Sequence, residues 1–389
     1  MTLDKNQLVA IKHAESRHFA VIKGIAGTGK TTIIRTLCER LESAGESVLL
    51  CAFAGKAAAR LREACNHESC TIHRMMGYNG VKFGDVDLSR KSIIIDEASM
   101  VSSDLLAEIV RRKPARLTLV GDPAQLPPVG RGQPFHDLIS LMPETAAELV
   151  TCYRATEAVF KAANMIRSGT TPPMSAISST EKWTIQNTGD AEKTQATLLQ
   201  WIRAGAIDFA QDIVLCPRNG DTDNDASTVK ALNRAIVEIV GANREDAGAF
   251  AKGDRVINCK NIAKKDVWNG STGTVHAVDM DGGVWVLLDV QATDEYGIKK
   301  DRIKFTKKEA KDLQLAYALT VHKSQGSQYR RVVFIALQRD AWALLDRSLI
   351  YTAVTRTRKQ CVVIGNVQAL SDGIGKETKK RTVIQEVAG

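Results

Sequence analysis

The chain has 389 residues, 44% of them apolar, which is enough to bury two or three separate cores. No segment has the roughly 18 apolar residues that cross a bilayer, and the start, MTLDKNQLVAIKHAE, lacks the apolar run of a signal peptide. We therefore expect a cytoplasmic protein without a membrane partner. The net charge of +9 favours a polyanionic partner such as nucleic acid, although charge alone is weak evidence.

The start of the chain predicts an α/β domain. From residue 19 to about 150, uniformly apolar strands alternate with helical patterns, which indicates a parallel sheet covered on both faces. The segments are FAVIKG, TTIIRTLCERLESAG, SVLLCAF, SIIID and RLTLVGD. We assign residues 1–147 to this domain and predict a β-hairpin over about 76–91, where glycines flank a short β-like run.

A second α/β domain follows, interrupted by a smaller unit. Its strands are DIVLCPRN, RVVFIAL and CVVIGN, with a helix at about 226–240. Short alternating strands joined by Gly and Asp turns indicate a small β-barrel inserted over 253–312. The second domain then comprises 148–252 and 313–380, and 381–389 form a tail.

The strongest motif follows the first strand and precedes a helix. It reads Gly24-Ile25-Ala26-Gly27-Thr28-Gly29-Lys30-Thr31 and matches the phosphate loop GxxxxGK[ST]. Its glycines let backbone N–H groups surround phosphates, Lys30 neutralises the β and γ oxygens, and Thr31 ligates Mg²⁺. The expected cofactors are therefore ATP and Mg²⁺.

Two further strands deliver polar side chains to the same sheet edge. After Ile95, Asp96 would hold Mg²⁺ through water, and Glu97 would orient and deprotonate the attacking water. The loop GDPAQLPP, stiffened by prolines, points Gln125 toward a phosphate. Arg154 and Arg356 in the second domain are candidates for the positive charge that phosphoryl transfer requires.

Eight cysteines lie scattered without a CxxC pair, and we expect no disulfides in a reducing cytosol. One cluster has spacings short enough to consider zinc, but its two- and four-residue gaps are a weak signal. Its members are Cys65, His67, Cys70 and His73.

Motifs along nearly the whole chain resemble those of the RecD/Dda-like helicases of superfamily 1B. In order they are LDKNQ, GIAGTGKTT, CAFAGKAAARL, TIHRMMG, IIIDEASMV, LVGDPAQLPPVGRG, LVTCYRAT, KGDRVI to WNGSTGTV, YALTVHKSQGSQYRRVVF and LIYTAVTRTRKQCVVIG. The resemblance implies an α/β fold of two RecA-like parallel-sheet domains with ATP in the cleft between them. It also implies a β-hairpin pin on the first domain and an SH3-like barrel inserted in the second.

The resemblance also assigns site residues. Gln7 would recognise adenine, and Arg154 and Arg356 would contact the γ-phosphate. The nucleotide would be bound by Gln7, Gly24, Ala26, Gly27, Thr28, Gly29, Lys30, Thr31, Thr32 and Gly326. Single-stranded DNA would contact Gly55, Lys56, Thr71, His73, Asn269, Gly270, Thr320, Val321, His322, Lys323, Ser324 and Gln325.

The second motif departs from the family. Relatives usually read like TAPTGKAA, whereas this chain has CAFAGKAA, so two hydroxyls that could hold backbone phosphates are missing. Fewer phosphate contacts would flatten the salt dependence of binding. Phe53 would instead offer a face for base stacking. In the pin, Tyr78 and Phe83 are the aromatics available to wedge against a duplex fork, and either one alternatively packs inward.

These features predict an ATP-dependent DNA helicase that moves 5′ to 3′ on single-stranded DNA and unwinds duplex, the direction being implied by the resemblance. The expected partners are single-stranded DNA and duplex forks, with a single-strand-binding protein or a replisome component as further candidates, and we expect a monomer. The alternatives are a translocase that displaces proteins without unwinding, an RNA helicase, and a nucleic-acid-binding protein with an idle ATP site. A nuclease is disfavoured because no further acidic cluster accompanies the motor motifs.

Overall fold

The computed structural model describes residues 3–153, 156–174, 182–220, 226–241, 249–293, 298–341 and 343–377. The chain divides into two compact units, 1–154 and 155–378. Among the described residues, no helix is both long and apolar enough to cross a bilayer.

The first unit is a parallel sheet with helices on both faces. Its elements are α1 (Lys5–Glu15), β1 (Phe19–Gly24), α2 (Lys30–Ser43), β2 (Ser47–Ala52), α3 (Gly55–Cys65), β3 (Ser69–Thr71), α4 (Ile72–Met75), β4 (Lys91–Asp96), α5 (Ser103–Arg111), β5 (Arg116–Gly121), α6 (Pro134–Leu141) and β6 (Ala146–Leu149). The strand order is β3-β2-β4-β5-β1-β6. The buried strand patterns arise because an apolar core lies on each face of the sheet.

The predicted end of the first domain was wrong. Residues from 148 were placed in the second domain, but β6 pairs with β1, with Glu148 opposite Lys23, and so closes the edge of the first sheet. A short apolar strand carries no sequence signal for the sheet it joins, because both sheets of this chain use the same buried pattern.

The predicted β-hairpin over 76–91 was also wrong, because residues 76–90 fold back as a loop without strands. Two backbone hydrogen bonds close the loop, from Gly84 N–H to the Met76 carbonyl and from Asn79 N–H to the Lys82 carbonyl. The Asn79 side chain accepts from the N–H groups of Val81 and Lys82 at 3.0 Å. Such side-chain bonds compete with a strand ladder, and glycine and aspartate are poor strand formers.

The second unit contains a parallel sheet and an antiparallel one. Its elements are α7 (Glu157–Arg167), β7 (Trp183–Asn187), α8 (Ala191–Arg203), β8 (Asp212–Cys216), α9 (Val229–Val240), β9 (Arg255–Asn258), β10 (Thr272–Val278), β11 (Val284–Thr293), β12 (Lys299–Phe305), β13 (Leu313–Leu315), β14 (Ala318–Thr320), β15 (Tyr329–Ala336), α10 (Gln338–Ala341), α11 (Arg347–Thr355), β16 (Thr357–Gly365) and α12 (Val367–Gly375). The parallel sheet has the order β14-β8-β15-β16-β7. The predicted α/β class with parallel sheets is confirmed.

The antiparallel sheet occupies the segment predicted to be inserted. Its order is β12-β11-β10-β9-β13, and it packs around its own apolar core. The predicted limit at 312 falls short, since β13 pairs with β9 and adds three residues to the sheet. Within the second unit, the chain therefore leaves the parallel sheet after β8 and α9 and returns to it at β14.

Candidate functional site

The phosphate loop joins β1 to α2, and two of its glycines require a left-handed backbone. Gly27 has φ 91° and Gly29 has φ 81°. A side chain on Gly29 would also place its Cβ 2.5 Å from Gln7 Nε2. Backbone conformation and space therefore both require glycine here.

The Lys30 ammonium is held against the loop itself. It donates to the Gly24 carbonyl at 2.7 Å and to the Ile25 carbonyl at 3.0 Å. Thr28 braces the same turn, since its hydroxyl donates to the Ile25 carbonyl at 2.9 Å. The cation thus lies on the loop whose backbone curves around it, where a phosphate needs a compensating charge.

Gln7 is fixed by the start of α1 and reaches the loop. Asp4 Oδ1 accepts from Gln7 N–H at 2.7 Å, and Gln7 Oε1 accepts from Asp4 N–H at 3.1 Å, which makes a capping box. The side-chain Nε2 donates to the Thr28 carbonyl at 3.2 Å. Gln7 is therefore buried and oriented beside the loop.

Tyr153 also lies against this loop, although it is not among the residues predicted from the sequence. Its N–H donates to the Gly27 carbonyl at 2.9 Å, and its hydroxyl donates to Asp4 Oδ2. That hydroxyl is the largest cause that lowers the pKa of Asp4, followed by the Gln7 N–H, and the same bond raises the pKa of Tyr153. The position directly before Arg154 was the available signal. Arg154 itself lies outside the described residues.

Asp96 and Glu97 follow β4, which lies two strands from β1 in the sheet. Glu97 takes a left-handed conformation, φ 52°, and its N–H donates to Asp96 Oδ1 at 2.9 Å. This conformation costs about 1–3 kcal/mol in a non-glycine residue and often marks functional sites. Glu97 Oε2 is buried and has no hydrogen-bond partner among the described residues. A buried acceptor of this kind suits a bound water.

Gln125 is positioned by the loop after β5. Asp122, fully buried, accepts from Ala124 N–H at 3.1 Å and from Gln125 Nε2 at 3.4 Å. Strand β5 lies between β1 and β4. Because carboxyl ends of parallel strands meet at one edge, the loops that carry Lys30, Glu97 and Gln125 leave the sheet side by side.

Arg356 and Gly326 belong to the second unit. Arg356 is 4% exposed at the end of α11, where its Nε donates to the Thr352 carbonyl at 3.2 Å. The Arg356 carbonyl accepts from Tyr329 N–H at 2.9 Å. Gly326 takes a left-handed conformation, φ 71°, in the turn before β15. The predicted nucleotide roles of both residues remain predictions.

The predicted strand-binding residues of the first unit lie where the chain leaves β2 and β3. Gly55 and Lys56 open α3, and the Lys56 side chain is buried. Thr71 caps α4, where its hydroxyl accepts from Arg74 N–H at 3.2 Å. The next turn carries His73, whose pKa is lowered by burial.

Aromatic rings gather around His73. Its ring centroid lies 6.1 Å from that of Phe53, 5.4 Å from Tyr78 and 5.9 Å from Phe83. Phe53 and Phe83 are half-buried against the core, whereas Tyr78 is exposed. The most projecting apolar side chain of loop 76–90 is Val81, which is 88% exposed and was not singled out from the sequence.

In the second unit, one group of predicted strand-binding residues lies at the end of β14 and in the turn that follows it. The Thr320 hydroxyl accepts from Lys323 N–H at 3.2 Å, and the buried Ser324 hydroxyl donates to the Val321 carbonyl at 2.7 Å. His322 is exposed, and its carbonyl accepts from Gln325 N–H. Lys323 Nζ donates to Gln314 Oε1 at 2.9 Å, which ties the turn to β13.

The Asn269-Gly270 turn lies in the antiparallel sheet before β10. Gly270 has φ 92°, and its N–H donates to the Asn258 carbonyl. Asn258, almost fully buried, donates from Nδ2 to the Trp268 carbonyl at 3.0 Å. Asn269 is exposed. The turn is therefore held firmly and presents Asn269 to solvent.

The possible zinc residues contact separate partners. Cys65 Sγ lies 3.7 Å from the Thr31 carbonyl, and His67 Nε2 lies 2.9 Å from Glu42 Oε1. The part of the chain that the structure describes holds no group of three or more His, Cys, Asp or Glu placed to bind a metal.

Comparison with known proteins identifies the family. Residues 2–188 match the model of an AAA domain, and residues 315–364 match that of a UvrD-like helicase C-terminal domain. The RecBCD enzyme subunit RecD of Mycobacterium tuberculosis is 30% identical over 426 residues, covering 94% of this chain and 70% of the relative. The chain belongs to the RecD family of helicases.

Other RecD-family relatives are longer than this chain. The ATP-dependent RecD2 DNA helicase of Deinococcus radiodurans is 30% identical over 394 residues. That match covers 97% of this chain and 51% of the relative, so the chain spans about half the length of that protein.

Solved structures agree with the fold. A Pif1 helicase structure at forked duplex DNA has a TM-score of 0.57 and 20% identity, covering 93% of this chain and 92% of that one. A Bacteroides Pif1 bound to single-stranded DNA has a TM-score of 0.55 and 19% identity with the same coverage. At these identities the likeness concerns the fold.

Proposed function

We propose that this RecD-family chain is an ATP-dependent DNA helicase that moves 5′ to 3′ along single-stranded DNA and separates duplex. The observation that carries the proposal is the alignment of three loops at one edge of the first sheet. They bring Lys30 of the phosphate loop to the end of β1 and the pair Asp96 and Glu97 to the end of β4. They also bring Gln125 to the end of β5. The relative named as an ATP-dependent DNA helicase supports the DNA substrate.

The residues present fit Mg-ATP, which supplies the phosphoryl group and the metal charge. The glycine loop provides N–H donors, and Lys30 neutralises phosphate oxygens. Thr31 and Asp96 are the oxygen ligands that Mg²⁺ prefers. Glu97 orients the attacking water and accepts its proton through the buried Oε2. Gln125, placed by Asp122, reports on the γ-phosphate, and Arg154 and Arg356 are assigned the stabilising charge.

We assign the two parallel sheets to RecA-like domains and the inserted antiparallel sheet to an SH3-like barrel. The strand-binding roles of residues in both units and the wedge role of loop 76–90 are part of the same proposal and rest on the motif resemblance. Single-stranded DNA and duplex forks are the proposed substrates. A monomer is the proposed active form, with a single-strand-binding protein or a replisome component as further partners.

Strand separation tests the proposal. Duplexes with a 5′ DNA tail, a 3′ DNA tail or a 5′ RNA tail are incubated with ATP and Mg²⁺, with Lys30→Ala as the blank. We expect unwinding of the 5′ DNA-tailed duplex alone. Unwinding from the RNA tail would assign an RNA helicase. Strand-stimulated ATP hydrolysis without any unwinding would assign the translocase.

A further inference from the structure

Two cysteines face each other on neighbouring strands of the first unit. Cys51 of β2 and Cys70 of β3 are paired in register, and their Sγ atoms lie 4.0 Å apart. Neighbouring strands lie about 4.8 Å apart, within the Cα separations that disulfides span. The sulfur atoms need to approach by roughly 2 Å to bond.

The two thiols differ in accessibility. Cys51 is fully buried, whereas Cys70 is half-buried. One thiol can therefore meet a small solute and the other can only meet its neighbour, the arrangement of a reacting and a resolving cysteine.

The surroundings favour the thiolate on Cys70. The contact with the Cys51 thiol is the largest cause that lowers the pKa of Cys70, with the charge of Arg74 and the Met75 N–H adding to it. The same contact, together with burial, raises the pKa of Cys51. Burial raises the pKa of Cys38 and Cys65 to about 12, so those thiols stay protonated at neutral pH.

We propose that Cys51 and Cys70 form a dithiol that hydroperoxides oxidise to a disulfide, and that this modification weakens the binding of single-stranded nucleic acid. The first part stands on the geometry of the pair alone. The second part rests on the proposed function, because it uses the strand-binding residues assigned above.

The chemistry balances with hydrogen peroxide as the oxidant. Cys70 Sγ attacks one peroxide oxygen, the O–O bond breaks, and hydroxide leaves, which gives a sulfenic acid. Cys51 Sγ then attacks Cys70 Sγ, and the S–O bond breaks as a second hydroxide leaves. The two thiol protons convert both hydroxides to water. The sulfur pair loses two electrons, and the peroxide gains them.

The new bond would act directly on the strand-binding residues. Phe53 lies two positions after Cys51, and Thr71 directly follows Cys70. Cys51 Sγ also lies 3.3 Å from Met75 Sδ, on the same short helix as His73. Drawing the sulfur atoms together removes that contact and shifts the ends of both strands, from which Phe53, Thr71 and His73 project.

Peptide mapping tests the disulfide. The full chain is treated with stoichiometric hydrogen peroxide, free thiols are blocked with N-ethylmaleimide, and the digest is analysed by mass spectrometry. We expect a linked peptide pair joining Cys51 to Cys70, lost in Cys51→Ala and Cys70→Ala and retained in Cys259→Ala. An oxidised chain in which both thiols are alkylated, or in which Cys70 accumulates as sulfinic acid, would overturn the proposal.

Oligonucleotide affinity tests the consequence. We expect oxidation to weaken binding of a fluorescent single-stranded DNA by about fivefold, the scale of one lost stacking contact, and dithiothreitol to restore it. Cys70→Ala should bind equally before and after peroxide. A linked pair with unchanged affinity overturns the coupling to binding. If the reduced chain binds no single-stranded DNA, the proposed function is contradicted, while peptide mapping still decides whether the disulfide forms.

Discussion

Single side chains at the edge of the first sheet carry the proposed hydrolysis. Glu97→Gln keeps the shape of the side chain but removes the base, so we expect strand-stimulated ATP turnover to fall by roughly 10²- to 10⁴-fold. Binding of a fluorescent ATP analogue should be retained, because Lys30 and the glycine loop are untouched. Steady-state kcat measured beside the analogue Kd separates the two effects.

Glu144→Gln is the matched control, since Glu144 is an exposed carboxylate of the same unit. It should hydrolyse ATP like the unaltered chain. Turnover by Glu97→Gln within about threefold of the unaltered chain would assign the base to another residue.

At this scale the sequence was informative where function depends on local spacing. Lys30, Asp96 and Glu97 were predictable because a strand, a loop and a few fixed residues suffice to place them. The contact of Tyr153 with Asp4 was not predictable, because the two residues lie 149 positions apart in the chain. No local pattern encodes such a contact.

Among the elements, loop 76–90 is the one with the proposed wedge role. Val81→Asp places a charge on its most exposed apolar side chain. If the loop is the wedge, unwinding should fall by roughly tenfold, the effect of about 1.4 kcal/mol on the opening step. Strand-stimulated ATP turnover should not change, and both rates can be measured on one fork substrate.

Val110→Asp is the control for that experiment, because Val110 is 54% exposed on α5 of the same unit. It should unwind normally. If Val81→Asp also unwinds normally, Val81 takes no part in the wedge, and replacement of both Tyr78 and Phe83 by alanine then decides whether the loop has that role.

The Asn269-Gly270 turn offers a second test with a close match. Gly270 and Gly253 both have φ 92°, and a Cβ on either would meet open space. Alanine at either position should therefore cost about 1–2 kcal/mol of unfolding free energy. Only Gly270→Ala should weaken oligonucleotide binding. Equal binding by both variants would remove the turn from the nucleic-acid site.

Element prediction failed where side chains compete with backbone pairing. The glycines around residue 80 fitted a hairpin, yet Asn79 bonds the N–H groups that a ladder would use. The strands FAVIKG and SIIID were predicted correctly because an uninterrupted apolar run between turn residues leaves few alternatives.

For the whole molecule, the net charge of +9 draws any polyanion, so specific contacts must be separated from general attraction. Lys323→Gln and Lys311→Gln each remove one charge. Only Lys323 lies in the predicted strand-binding turn, so its loss should lower the slope of log affinity against log salt by about 0.7. Lys311, which is exposed on the inserted segment, should leave the slope unchanged. Identical slopes would mean that Lys323 contributes only to the general electrostatic attraction of the protein for nucleic acid and makes no phosphate contact of its own.

The order of sheets was predictable at this scale, but their limits were not. Alternating strands and helices indicate parallel sheets, and short alternating strands indicate the antiparallel one. The predicted limit at 147 cuts through β6, and the limit at 312 excludes β13 from its sheet, since pairing across an edge is decided by tertiary contacts.

The capping box at the start of α1 has a consequence for which nucleoside triphosphate the chain prefers. Because Asp4 N–H holds Gln7 Oε1 and the Thr28 carbonyl holds Nε2, the amide cannot rotate to exchange its two ends. A fixed amide offers one donor and one acceptor side by side, which matches the N7 and N6 edge of adenine and conflicts with the two acceptors of guanine. We therefore expect a higher kcat/KM with ATP than with GTP, and we expect Gln7→Ala, which removes the amide, to narrow that difference.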